Sequence, residues 1–216
     1  RRGRRWSTAD AYLKPALRRP NLRLLTESMV TRVLFDGNRA VGVEFESGGR
    51  REVVKARREV VLCGGAVNSP QLLMLSGIGD RDRLGEFGIG TVHHSADVGG
   101  NLQDHLCVPL GFEAAGDTLV AAEKPVQLIS YFARRRGMLT SNVAEAYGFV
   151  RSRPELAVPD LELLYAPAPF FDEGIGEAYP GHAVVMGPIL LKPHSRGRIS
   201  LASADPKVKP IIDPRY

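Results

Sequence analysis

The sequence predicts a mixed α/β (α+β) chain in two parts. Three observations carry this. Short runs of alternating apolar and polar residues between 22 and 55 are punctuated by Asp36-Gly37-Asn38 and Ser47-Gly48-Gly49, which reads as a β-meander. The stretch from Val60 to Gly79 reads as strand, glycine turn and short helix. Beyond about residue 105 strands outnumber helices, as in a largely antiparallel sheet.

In chain order, Ser7-Thr8-Ala9-Asp10 is a helix start, with Ser7 as cap and Asp10 at the positive end of the dipole. Pro15 disfavours helical geometry at Lys14, so a kink is expected there. Strands are predicted at Leu22–Thr26, Met29–Phe35, Ala40–Phe45, Glu52–Lys55 and Glu59–Cys63. The last is apolar after Glu59, as a strand buried on both faces of a parallel sheet would be. It feeds into Gly64-Gly65-Ala66, where the backbone can turn tightly and approach a ligand without a Cβ in the way. Asn68 or Ser69 caps the next helix, Pro70 suits its first turn, and Gly77 ends it. Free N–H groups at such a helix start form an anion site.

Arg81–Phe87 is a short helix, and Val98–His105 is a polar loop opening a strand at Leu106–Phe112. Composition shifts here, dividing the chain into domains 1–105 and 106–216. In the second, a helix is expected at Lys124–Arg134, followed by a basic turn at Arg134–Gly137. Strands are expected at Glu145–Val150, Leu161–Tyr165, Ala183–Leu191 and Gly197–Leu201, with a Pro- and Gly-rich loop over 166–181.

The 216 residues are 44% hydrophobic and 25% charged, which is globular composition. The net charge of +5 draws on arginines 1, 2, 4, 5 and 18, a solvated basic segment. Nucleic-acid binding would want a basic stripe with interleaved aromatics, and Trp6 alone does not supply one. No apolar run approaches a membrane span, and Arg1-Arg2-Gly3-Arg4-Arg5 lacks the apolar core of a secretory signal. Cys63 and Cys107 make neither a disulfide framework nor a metal site. Both are expected as buried thiols in a reducing compartment, consistent with a cytoplasmic location.

Three glycine clusters miss the dinucleotide fingerprint: Gly77-x-Gly79 continues to Asp82, Gly174-x-Gly176 continues to Tyr179, and Gly85, Gly88 and Gly90 are wrongly spaced. His93 and His94 are adjacent and diverge in an extended chain, so a shared metal is not expected. His105 follows Asp104 in a polar loop, where a loop-organising hydrogen bond is the simpler role, and His182 and His194 flank strands. There is no H-E-x-x-H, G-x-S-x-G or P-loop pattern. The residues alone therefore give a globular α/β chain with an anion-binding turn.

The run Gly65-Ala66-x-x-Ser69-Pro70-Gln71-Leu72-Leu73-x-x-Ser76-Gly77-Ile78-Gly79 resembles a signature of the glucose–methanol–choline (GMC) flavin oxidoreductases. Arg5–Leu13, Arg39–Glu44, Val98–His105, Glu145–Phe149, Ser195–Pro206 and Ile212–Tyr216 resemble the same family in the same order, closest to its choline dehydrogenase-like branch. The resemblance implies a partial FAD/NAD(P)-binding-type domain with a β-meander, then a partial substrate domain. The family's opening G-x-G-x-x-G unit and its C-terminal histidine segment have no counterpart here, so a central fragment is expected, with no catalytic residue and no metal of its own.

By that resemblance the activity is oxidation of the CH–OH group of a small-molecule alcohol or choline, with FAD as cofactor. Val30 takes the position whose backbone meets the adenine, and Gly64, Gly65 and Ala66 form the turn that approaches the cofactor. Asn101 to His105 match a loop close to the junction between the two domains. Glu145 matches a glutamate that faces a quaternary ammonium in choline-oxidising members. Two alternatives remain open: a catalytically inactive binding or scaffold module, and a hydroxynitrile lyase-type enzyme on the same fold.

Overall fold

The computed structural model describes residues 3–169 and 179–216. Arg1, Arg2, Gly174-x-Gly176 and much of the 166–181 loop lie outside the described residues.

The elements begin with a helical segment, π-type over Ala9–Leu13 and continuing as α1, Lys14–Ala16. The meander follows as β1 (Ser28–Asp36), β2 (Arg39–Ser47) and β3 (Arg50–Lys55). Then come α2 (Gly65–Leu75), β4 (Ile78–Gly79), α3 (Arg81–Glu86) and β5 (His93–His94). The second half carries β6 (Leu110–Glu113), α4 (Pro125–Arg134), β7 (Ala146–Val150), β8 (Leu161–Ala166) and β9 (Ala183–Leu190). It closes with β10 (Arg198–Ser200) and β11 (Ile211–Asp213).

The chain divides into two compact units, each built from two segments. One joins Leu24–Asp104 to His194–Tyr216, and the other joins Arg1–Arg23 to His105–Pro193. Sequence reasoning placed a single change-over near 105. In space the first 23 residues go with the later unit and the last 23 with the earlier one.

In the unit containing the meander, β1, β2 and β3 form an antiparallel sheet in that order. The register slips after Val30, so Val30 faces Phe45 and Arg32 faces Glu44. The extra residue, Thr31, is buried and its hydroxyl bonds the Glu44 carboxylate at 2.7 Å. A bulge of this kind bends the strand and interrupts the ladder. The core gathers Met74, Leu75, Leu84, Ile199 and Leu201, with Val67, Phe87 and Val98 against it. Residues from both segments thus share one core, which is what ties the C-terminal stretch to this unit.

In the other unit β6, β9, β8 and β7 form an antiparallel sheet in that order. Ala166, Ala183 and Val185 are buried on it, and Ala121, Ala122 and Thr118 are buried beside helix α4. Thr118, 1% exposed, places its Oγ1 2.7 Å from His182 Nδ1. His182 is therefore partnered inside the unit and is not simply a surface residue at a strand end.

Several expectations are corrected. Leu22–Thr26 and Glu59–Cys63 are extended but form no ladder. A strand requires a partner for its N–H and C=O groups, and neither segment enters a ladder with a described strand. Cys63 and Cys107 are exposed and not buried; Val61 is 72% exposed, because no described layer covers that side of the Glu59–Cys63 run. Helix α2 starts at Gly65, with Gly64 as N-cap, and holds Pro70 inside it. Asn68 and Ser69 are therefore helical and cap nothing. At the N-terminus the chain stays helical through Pro15, the wider π turn accommodating the ring ahead of it.

Candidate functional site

The meander and helix α2 enclose an open groove of about 560 Å³. Its walls are apolar: Val30 and Val43 from the sheet, Val61 and Leu62 from the extended run, Leu72 from the helix. Gly64, Asn68, Ser69 and Gln71 add polar edges, and among the described residues no Lys or Arg lines it. Gln71 is partly committed, its Nε2 donating to Val208 O at 2.9 Å.

Gly64 lines the groove and Gly65 follows it as the first residue of α2, and the two are glycine for different reasons. At Gly64 a Cβ would sit 3.1 Å from both Asn68 Cβ and Ser69 N, so close packing on the first helical turn favours glycine. At Gly65 the space is open to beyond 4 Å, but φ is +77°, a conformation that L side chains rarely adopt. The turn thus brings backbone N–H groups and the positive end of the α2 dipole to the groove without side-chain obstruction. Pro70 carries no N–H and so cannot donate to the Ala66 carbonyl as another helical residue would.

The sequence-derived site residues separate in space. Val30 and Gly64 line the same groove. Ala66 lines a second cavity of about 420 Å³ with Pro70, Gly99, Asn101 and Gln103. That loop holds Asn101 at φ +59° and packs Gly99 so tightly that a Cβ would lie 2.1 Å from Ile199 O. Asp104 accepts a hydrogen bond from the exposed Tyr216 hydroxyl at 2.5 Å. Glu145 belongs to the other unit, is exposed, and gives its backbone N–H to Tyr165 O at 3.1 Å. Met29, Val43 and Pro206 also line the first groove and were not singled out from sequence. Val43 had a readable signal, since it sits in the strand next to Val30, whereas Pro206 arrives from the far end of the chain.

Among the described residues no group of three or more His, Cys, Asp and Glu side chains could hold a metal ion. No described helix is long and apolar enough to cross a membrane. His94 accepts from Arg81 N–H through Nδ1 at 3.2 Å, and β4 pairs in parallel with β5, so the histidine pair serves a local junction.

A groove that is apolar, glycine-edged and aimed at a helix start is found on many folds, so family membership rests on sequence. The family model for GMC oxidoreductases matches residues 1–107. The chain carries the GMC oxidoreductase domain over residues 1–107. It is 68% identical, over 216 residues, to an uncharacterized GMC-type oxidoreductase of Mycobacterium tuberculosis, covering 100% of this chain and 41% of that one. It is 43% identical to mitochondrial choline dehydrogenase of Mus musculus, covering 99% of this chain and 37% of the relative. Among solved structures, a formate oxidase of Aspergillus oryzae RIB40 superposes with a TM-score of 0.90 at 26% identity, over 100% of this chain and 43% of the other. The chain thus spans about two fifths of the length of these GMC proteins.

Proposed function

We propose that this chain forms part of an FAD-dependent oxidoreductase that acts on the CH–OH group of an alcohol donor. The observation that carries the reading is the groove shared by Val30 and Gly64, two positions that GMC resemblance assigns to the cofactor. The similar formate oxidase is described through modification of its FAD, and the mouse relative is named a choline dehydrogenase.

The residues present fit one end of such a cofactor. A flat aromatic ring such as adenine suits walls made of Val30, Val43, Val61 and Leu62. Gly65, open above its position, lets backbone approach the bound group. The apolar lining supports the reading of this groove as the adenine-facing side. When bound, FAD would supply the hydride acceptor for alcohol oxidation. This chain's own part is to hold the ring, to shape the pocket and, through Glu145, to place a carboxylate for a cationic substrate. The two domains expected from sequence, 1–105 for the cofactor and 106–216 for the substrate, are part of the same reading.

The test uses the full-length protein. Val61→Asp, a groove-wall position that is 72% exposed, should lower flavin content, read from absorbance, far more than it lowers the unfolding midpoint. Anaerobic addition of alcohols should bleach the oxidised flavin band of the parent protein. A protein that binds no flavin would favour the scaffold alternative. One that binds flavin, is not reduced by any alcohol and cleaves a hydroxynitrile would favour the lyase.

A further inference from the structure

The bulge in β1 reverses the direction of the backbone at Val30. Residues of an antiparallel ladder alternate between pairs that exchange backbone hydrogen bonds and pairs whose backbone groups point away from each other. Ala56 N–H donates to Val41 O at 2.8 Å, and β2 pairs with β3 without a slip from Gly42 to Ser47. Val41, Val43 and Phe45 therefore turn their backbone groups to β3, while Gly42, Glu44 and Glu46 turn theirs to β1. On β1, Val33 faces Val43 and so points off the sheet, where its N–H meets Ser76 Oγ at 2.9 Å. Arg32 faces Glu44 and points inward. In an unbroken strand Val30, two residues back, would point inward too. With Thr31 inserted, Val30 faces Phe45 instead, so its N–H and C=O turn away from β2. Among the described residues β1 is the edge strand, and Val30 lines the groove on that side.

A side-chain contact holds the insertion. Thr31 is buried, and its hydroxyl donates to Glu44 Oε1 at 2.7 Å, with Glu44 O at 3.3 Å. A hydrogen bond to a carboxylate is stronger than one between neutral groups. The contact also belongs to one register alone. Without the bulge Thr31 would stand opposite Phe45, and the Thr31 and Glu44 side chains would lie on opposite faces of the sheet. Neither residue lines the groove, so both act on it through Val30.

We propose that Thr31 and Glu44 are positioning residues for the cofactor: their contact fixes the bulge that aims the Val30 N–H and C=O at the groove. One residue's N–H and C=O then stand side by side as donor and acceptor. The edge of adenine offers the complement, a ring nitrogen that accepts beside an amino group that donates. The role rests on the flavin reading, which it deepens by naming what directs the backbone contact.

Full-length protein, stripped of flavin, is titrated with FAD. Thr31→Val keeps the branched shape and removes the hydroxyl, and it should raise the Kd for FAD about tenfold. Thr31→Ser keeps the hydroxyl and should stay within about twofold of the parent. Glu44→Ala should match Thr31→Val, and the double variant should be no worse than either, because the two act through one contact. Hydrogen exchange on the unaltered protein supplies a readout independent of variant folding: FAD should slow exchange far more at the Val30 amide than at that of Arg32. Thr31→Val binding FAD like its parent, Thr31→Ser failing as badly as Thr31→Val, or additive losses in the double variant would overturn this role and leave the flavin reading standing. So would unchanged exchange at Val30 in protein that holds FAD. A parent that binds no FAD would overturn both.

Discussion

The backbone N–H of Val33 donates to the hydroxyl of Ser76 at 2.9 Å, across 43 positions of sequence, in a buried site. The same hydroxyl donates to Leu72 O at 2.6 Å. One side chain therefore closes the outer edge of β1 and satisfies a carbonyl in the last turn of α2. The Val33 N–H is a backbone group that burial would otherwise leave unpaired, while the Leu72 carbonyl also accepts the Ser76 backbone N–H at 3.0 Å. The groove lies between these two elements, so this contact holds its walls together.

Replacing Ser76 with Ala strands the Val33 N–H in a dry site. Stability should fall by about 1–3 kcal/mol. Denaturant unfolding should show a lower midpoint with an unchanged slope. A slope change would instead point to a looser native state.

Glycines with positive φ should differ in what a methyl group does to them. Gly77 has φ +87°, and a Cβ there would lie 2.4 Å from Gly90 O and 3.1 Å from Val92 N. Gly48 has φ +56° with nothing within 4 Å. Gly77→Ala should therefore cost well over about 1 kcal/mol, while Gly48→Ala should cost about that much through backbone strain alone. Equal losses in thermal unfolding would show that backbone conformation, and not the β4–β5 junction, dominates at Gly77.

Asp80 caps α3, its Oδ1 accepting from Asp82 N and Arg83 N, each at 3.1 Å. The Arg83 N–H, then that of Asp82, with the nearby His94 and Arg83 charges, hold its pKa below the ordinary carboxylate value. A depressed native pKa favours the folded state while the group is ionised. This contribution is full above the unfolded value of about 3.9 and disappears as pH falls through the lower folded value. The gap in unfolding midpoint between parent and Asp80→Ala should thus be constant at neutral pH and close in acid. A gap that persists in acid would place the cap's effect in packing.

Glu145→Gln in the full-length protein should raise KM for choline much more than for a neutral alcohol of similar size. A carboxylate facing a quaternary ammonium gives up attraction only to the charged substrate. Equal losses on the two substrates would leave Glu145 a structural residue at the head of β7.

Much of the fold was legible because its signals are local. The meander could be read from Asp36-Gly37-Asn38 and Ser47-Gly48-Gly49, and the observed strands pair β1 to β2 to β3 around those turns. The end of α2 at Gly77 and the helix over 125–134 could be read in the same way. The start of α2 could not. Asn68, Ser69 and Pro70 are all good N-terminal residues, yet the helix begins at Gly65 and absorbs them. Propensity is a weak preference, and packing at the Gly64 turn overrides it.

The site was half legible. Val30 and Gly64 share a groove, while Ala66 turns to the Asn101 loop and Glu145 sits in the other unit. Sequence by itself determined the family resemblance, the order of strands and turns, and which residues resemble a cofactor contact, because each rests on neighbouring residues. Only the tertiary structure decided the exchange of terminal segments between units, the course of Glu59–Cys63 outside any described ladder and the bulge at Thr31. These depend on which distant segment comes alongside, and periodicity within one segment carries no record of its partner.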